Sequence, residues 1–130
     1  MEGRLRLLLD TNALLWSLMR PDKLRRTTAD AIQSEESSVW ASVVSPWELA
    51  IKASHGKLQA PDDLGSRLRE MRIPLLPISL RHTEAVAALP HHHGDPFDRM
   101  LVAQAQVEGM TLVTSDREIA QYRVSLLPAI

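Results

Sequence analysis

Leu5-Arg6-Leu7-Leu8-Leu9-Asp10-Thr11-Asn12-Ala13-Leu14-Leu15-Trp16 is a short leucine run that stops on an acid and then resumes at a different spacing. Leucines on adjacent positions over so few residues predict a strand buried on both faces rather than a helix. Thr11 to Met19 then reads as a helix. Asp10 is left at the junction, where a buried strand hands over to a helix start. A carboxylate there is desolvated on most sides and stays charged only with a cation or several donors around it. Its plainer use is an N-cap for the helix it precedes.

The pattern repeats along the chain. A helix is expected over about Leu24 to Ser34, after the break at Pro21-Asp22, followed by a turn at Glu35 to Ser38 and a second strand at Val39 to Val44. Ser45-Pro46-Trp47-Glu48 should open a helix that stops at Gly56, with Ser45 and Glu48 matching a capping box. Pro61 to about Arg72 is helical, Pro74 to Ile78 a proline-bearing edge strand, and Leu80 to Leu89 helical again. Pro96 to Glu108 is a helix ended by Gly109, Met110 to Thr114 a strand, Asp116 to Tyr122 a helical turn, and Val124 to Leu127 a last strand. Alternating strands and helices predict an α/β fold: a three-layer sandwich with a mainly parallel sheet of four to five strands. Ligands of such sheets lie beyond the carboxyl ends of the strands.

At 130 residues and 14.6 kDa, with 45% apolar content, the chain is expected to form a single domain, residues 1–130. It has no cysteine, so neither a disulfide framework nor a thiolate metal site is available, which suits a reducing cytoplasm. The stretch Arg4 to Met19 has the apolarity of a signal peptide, but Asp10 and Asn12 interrupt it and no small-residue cleavage site follows. Nothing approaches the roughly 20 unbroken apolar residues of a membrane helix. Fifteen basic residues against sixteen acidic give a net charge of −1, which excludes a globally basic nucleic-acid binder. Local basic groups remain: Arg4 with Arg6, Lys23 with Arg25 and Arg26, Lys52 with Lys57, and Arg67 with Arg69 and Arg72. For any one of these groups a solvated helix face is the expected reading ahead of a phosphate contact.

Four acids share the junction position of Asp10: Glu48, Asp98 and Asp116 complete the set. If the junctions meet, two carboxylates about 4 Å apart repel by roughly 4 kcal/mol at an effective dielectric near 20, which a divalent cation would neutralise. Each acid also has a local use. Glu48 fits the capping box and an ion pair with Lys52 four residues on. Asp98 has Leu101, Val102 and Ala105 on its side of the helix, so it begins a buried face, while Asp95 before Pro96 is the N-cap. Asp116 could cap a turn, or ride in the first turn behind a Ser115–Glu118 capping box. Trp16, Trp40 and Trp47 read as core or partner-facing residues. No Gly-x-Ser-x-Gly elbow and no P-loop is present.

Leu-Leu-Leu-Asp-Thr-Asn, Ser-Pro-Trp-Glu, Asp-Pro-Phe-Asp-Arg and Leu-Val-Thr-Ser-Asp, in this order, resemble the PIN-domain family, and within it the VapC-type toxin ribonucleases. The resemblance implies a Mg²⁺- or Mn²⁺-dependent endoribonuclease hydrolysing RNA phosphodiesters. Asp10, Glu48, Asp98 and Asp116 would then be its catalytic and metal-binding acids. Asn12, Thr114 and Ser115 would be polar supports, and Lys52 and Arg99 contacts to the RNA backbone. It also implies a VapB-type antitoxin and a homodimer. The loop His91-His92-His93 has imidazoles that point in different directions, so an exposed loop or an RNA contact is expected rather than a shared metal. Rival readings are a catalytically silent PIN-like binding module and an aspartyl-nucleophile phosphatase. The latter usually needs Asp-x-Asp, where this chain has Asn12.

Overall fold

The computed structural model describes residues 5–58 and 60–130, so Arg4 lies outside them. One sheet of five strands runs in the order β3-β2-β1-β4-β5, every pairing parallel. The strands are β1 (Leu5–Leu9), β2 (Ser37–Ser42), β3 (Leu75–Leu76), β4 (Thr111–Thr114) and β5 (Leu126–Pro128). Six α-helices connect them: α1 (Thr11–Met19), α2 (Arg26–Gln33), α3 (Val44–Ser54), α4 (Leu64–Glu70), α5 (Leu80–Ala88) and α6 (Pro96–Glu108). β1 is the central strand, which is why Leu7, Leu8 and Leu9 are all fully buried.

Strand side chains alternate between faces, and the core divides accordingly. Leu8 and Leu112 point to a cluster completed by Val44, Leu101, Val102 and Ile119, under α3, α5 and α6. Leu7, Leu9, Ala41 and Val113 point the other way, to Ala13, Leu14, Leu24 and Leu68 under α1, α2 and α4. This is the three-layer arrangement expected. Gly109 ends α6 in the left-handed region at φ 67°, its N–H returned to the Ala105 carbonyl, a conformation a side chain would strain. No helix among the described residues is long and apolar enough to cross a membrane.

Some boundaries move for identifiable reasons. β2 ends at Ser42 and the chain turns straight into α3 at Val44, with the Ser42 hydroxyl accepting the Val44 N–H at 3.0 Å. Ser45 is therefore inside the helix and the expected Ser45–Glu48 capping box does not form. Pro46 is tolerated because the first helical N–H groups have no intrahelical acceptor to lose. α4 begins at Leu64, three residues after Pro61, and Asp63 pairs with Arg67 at 2.9 Å instead of capping. The turn after Asp116 is only a 3-10 segment, Ile119–Gln121.

Candidate active site

β1 and β4 are neighbours, and the chain leaves β1 toward β2 on one side and β4 toward β5 on the other, so the connections out of β1 and β4 diverge and open a crevice at the carboxyl edge of the sheet. A cavity of about 420 Å³ lies there, and Asp10, Glu48, Asp98 and Asp116 all line it. Asn12, Ser115 and Lys52 line it as well, with Thr11, Trp16, His93 and Asp95. Acids from the first strand end and from near the end of the chain, Asp10 and Asp116, are thus brought to one crevice.

One side of the cavity is built into the frame. Asp10 extends the β1 ladder through its N–H to the Val113 carbonyl at 3.0 Å, and its carboxylate accepts the Ala13 N–H at 2.7 Å. It is an N-cap and a cavity acid at once. Burial raises its pKa above the usual carboxylate value, against the Thr114 hydroxyl and the Ala13 amide, which favour the charged form; the charges of Asp116 and Glu48 push it further up. Glu48 is only 4% exposed and both its oxygens are occupied. Thr11 donates to Oε1 at 2.6 Å and Lys52 Nζ to Oε2 at 2.6 Å. The Thr11 and Ser45 hydroxyls also meet at 2.9 Å, so the serine expected to cap α3 instead braces α3 against α1. The Glu48 bond holds the Lys52 ammonium above its ordinary pKa, opposed by partial burial.

The other side is assembled from loops and helix starts. Asp95 caps α6 through the Phe97 and Asp98 N–H groups at 2.8 and 3.1 Å, as expected. Asp98 is thereby turned to the cavity. Burial, with the charges of Asp95, Glu48 and Asp116 added, pushes its pKa up to about 7 even though His93 pulls it down. Asp116 Oδ1 accepts the Glu118 N–H at 2.7 Å. Its burial would raise its pKa, but His93 and the Glu118 and Ile119 amides outweigh that and hold it low. The capping box expected of Ser115 and Glu118 is absent: Ser115 Oγ accepts the Ile130 N–H at 2.8 Å and the Glu118 carboxylate turns to His93.

His93 is the residue that sequence reasoning assigned elsewhere. Its Nε2 lies 3.0 Å from Asp98 Oδ2 and 3.1 Å from Asp116 Oδ2, and its Nδ1 2.9 Å from Glu118 Oε2. Burial would lower its pKa, but Asp116, Asp98 and Glu118 together raise it. Loop residues carry no periodicity, so the only available signal was its place two residues before the cap of α6. His91 is exposed and His92 lies edge-on to Tyr122, ring centroids 5.0 Å apart.

Arg99 needs correction. Expected at an RNA backbone, its guanidinium is instead buried, donating to the carbonyls of Pro90 at 2.9 Å and Val86 at 3.0 Å and to Tyr122 Oη at 3.1 Å. Asp98 claims the cavity side of the first turn, and the next residue along a helix points about 100° away. Among the tryptophans, Trp40 packs on the core, Trp16 lines the cavity, and Trp47 is 56% exposed with its ring edge-on to Phe97.

Among the described residues Asp98, Asp116 and His93 bring ligand atoms within 4.8 Å of one another, and Asp10 and Glu48 line the same cavity. Carboxylate oxygens suit a hard divalent cation, and burial makes the acids costly without one, so the donor set fits such an ion. The family model for the PIN domain matches residues 7–125. Ribonuclease VapC22 of Mycobacterium tuberculosis is 29% identical over 119 residues, covering 89% of this chain and 91% of that protein. Several solved structures share the fold, and two of them illustrate it. VapBC2 of Rickettsia felis, bound to a DNA fragment from its promoter, superposes with a TM-score of 0.73 at 17% identity, covering 97% of this chain and all of that one (100%). The DNA-bound VapBC of Salmonella typhimurium superposes with a TM-score of 0.68 at 18% identity, over 95% of this chain and 98% of that one.

Proposed function

The chain belongs to the PIN-domain family, and from that membership we propose that it is a Mg²⁺- or Mn²⁺-dependent endoribonuclease, the toxin of a VapBC-type pair. The observation that carries this is the meeting of Asp10, Glu48, Asp98 and Asp116 on one cavity at the carboxyl edge of the sheet. The similarity to a protein named as a ribonuclease supplies the substrate class. A silent binding module would have no use for four acids whose mutual repulsion and burial cost the fold stability.

Asp10 and Asp98 would be the main ligands of the cation, with Glu48 and Asp116 completing the set. A divalent cation bound there would supply positive charge to activate water and to stabilise charge on the phosphate. The protein's own work is positioning. Ala13 N–H and Thr114 fix the Asp10 carboxylate; Thr11 fixes Glu48; Asp95 sets the start of α6 so that Asp98 faces inward. In this reading Lys52, which lines the cavity and pairs with Glu48, meets an RNA phosphate, and Asn12 and Ser115 add polar contacts. No side-chain nucleophile is required, because water is the attacking group.

As a toxin of this kind, the protein acts in the cytoplasm as one PIN-like domain, as a homodimer, restrained by a VapB-type antitoxin. Solved neighbours described as VapBC complexes support the pairing. The test is incubation of purified protein with total RNA in Mg²⁺, Mn²⁺ or EDTA, with the cut ends mapped. Discrete ends that require the cation and vanish in Asp10→Asn and Asp98→Asn are expected. Cutting that persists in EDTA, or in either variant, defeats the proposal.

A further inference from the structure

We propose that His93 is a nitrogen ligand of the cation held in this acidic cavity, with Glu118 as the carboxylate that orients its ring, and that this tilts the site from Mg²⁺ toward Mn²⁺. The inference rests on the nuclease reading above and adds a residue outside the four acids. Three separate features of His93 lead to it.

The spacing is that of a coordination shell. Nε2 is 3.0 Å from Asp98 Oδ2 and 3.1 Å from Asp116 Oδ2, and ligand atoms of the three residues lie within 4.8 Å of one another. Neighbouring ligands of an octahedral cation with bonds of about 2.1 Å stand roughly 3 Å apart. A small cation can therefore be accepted with little movement of these side chains.

The far side of the ring is prepared for ligation. Glu118 Oε2 stands 2.9 Å from Nδ1. A metal-binding histidine almost always gives its other ring N–H to a carboxylate or carbonyl, which fixes the tautomer and makes the ligating nitrogen more basic. Without a cation, Nε2–H faces the two aspartates while Nδ1 accepts the Asp95 N–H at 3.1 Å. Ligation uses the Nε2 lone pair, so the proton of the neutral ring resides on Nδ1, 2.9 Å from Glu118 Oε2, and the Asp95 N–H gives up Nδ1 as its acceptor. A carboxylate thus stands beside the ring in the ligating tautomer.

The loop that carries the ring is also fixed. The His93 N–H donates to Tyr122 Oη at 3.0 Å, and Tyr122 Oη in turn accepts from the buried Arg99 at 3.1 Å. Imidazole is a poor partner for Mg²⁺, which prefers oxygen and retains its waters, and a better one for transition-metal cations.

A rival role for His93 is that of an internal counter-ion that occupies the site until a cation displaces it. The two roles predict opposite signs. Mn²⁺ and Mg²⁺ binding would be measured by calorimetry on the full chain, and electron spin-echo spectroscopy of the Mn²⁺ form would look for nitrogen coupling, with ¹⁵N-histidine labelling to identify it. For the ligand role, the wild type shows histidine nitrogen coupled to Mn²⁺, and His93→Ala loses it while binding Mn²⁺ at least tenfold more weakly and Mg²⁺ less than threefold more weakly. Glu118→Gln retains the coupling and binds Mn²⁺ about tenfold more weakly, as orienting partners do. Mn²⁺ bound with no histidine coupling, or bound equally or more tightly by His93→Ala, overturns the ligand role and leaves the nuclease reading standing on its cleavage data. No Mn²⁺ uptake by the wild type removes both. The spectroscopic arm needs no substitution, so a poorly folded variant does not blunt the test.

Discussion

The two sides of the cavity are held in different ways. Asp10 and Glu48 are tied into strand ends and helix starts by Ala13, Thr114, Thr11 and Lys52, groups that belong to the frame. Asp98 and Asp116 are tied across the cavity through one histidine. On the frame side the fold itself supplies donors. On the histidine side the two acids part: burial, with neighbouring charges added, pushes Asp98 up to about 7, while His93 and the Glu118 and Ile119 amides hold Asp116 below its ordinary value. A cation would matter most to that second side.

Neighbouring residues sharpen this contrast. Asp98→Asn should lower the cleavage rate in saturating Mg²⁺ by roughly a thousandfold, the loss of about 4 kcal/mol of transition-state stabilisation. Asp10→Asn should do the same, although its side is already well bonded; initial rates on a defined RNA would show it. Arg99→Ala, one residue from Asp98, should instead unfold early. It leaves the carbonyls of Pro90 and Val86 without their donor, at a cost of about 2–4 kcal/mol in urea denaturation. An Arg99→Ala protein of normal stability that failed only in cleavage would move Arg99 into the site after all.

The pH dependence of the metal-free protein follows from Asp98. Its folded pKa of about 7 exceeds the ordinary carboxylate value of 3.8, so the folded state holds its proton more tightly than the unfolded chain. Its stability contribution is therefore largest below the unfolded value and is lost as pH rises toward and past 7. Asp98→Asn should raise the melting temperature in EDTA by several degrees at pH 8, at about 4 °C per kcal/mol, and leave it nearly unchanged at pH 4. Equal shifts at both pH values would show that Asp98 is not strained by its neighbours. The smallest effect belongs to the frame side. Thr11→Val should cost about 1 kcal/mol in stability, because Glu48 keeps Lys52 as a partner when the hydroxyl is lost.

Much of this was legible in the residues. Adjacent leucines gave the central strand, Gly109 the end of α6, and Asp95 before Pro96 its cap, because each rests on local backbone chemistry. The convergence of the four acids followed from their shared place at strand and helix junctions in a parallel sheet. Ser45 misled because β2 stops at Ser42 with the next helix following at once, and a hydroxyl inside a first turn looks like a cap when the boundary is unknown. His93 and Arg99 were misplaced for a tertiary reason. Which side of a loop or helix faces the cavity is decided by Tyr122, Val86 and Pro90, residues that no local pattern connects to them.

Calorimetric titration of Mn²⁺ into wild-type protein and into an Asp10→Asn/Asp98→Asn double variant puts the cation site itself to the test. Saturable uptake by the wild type, absent from a folded double variant, is the predicted result. No uptake by the wild type, or equal uptake by both proteins, would contradict the claim that these acids meet in order to hold a cation.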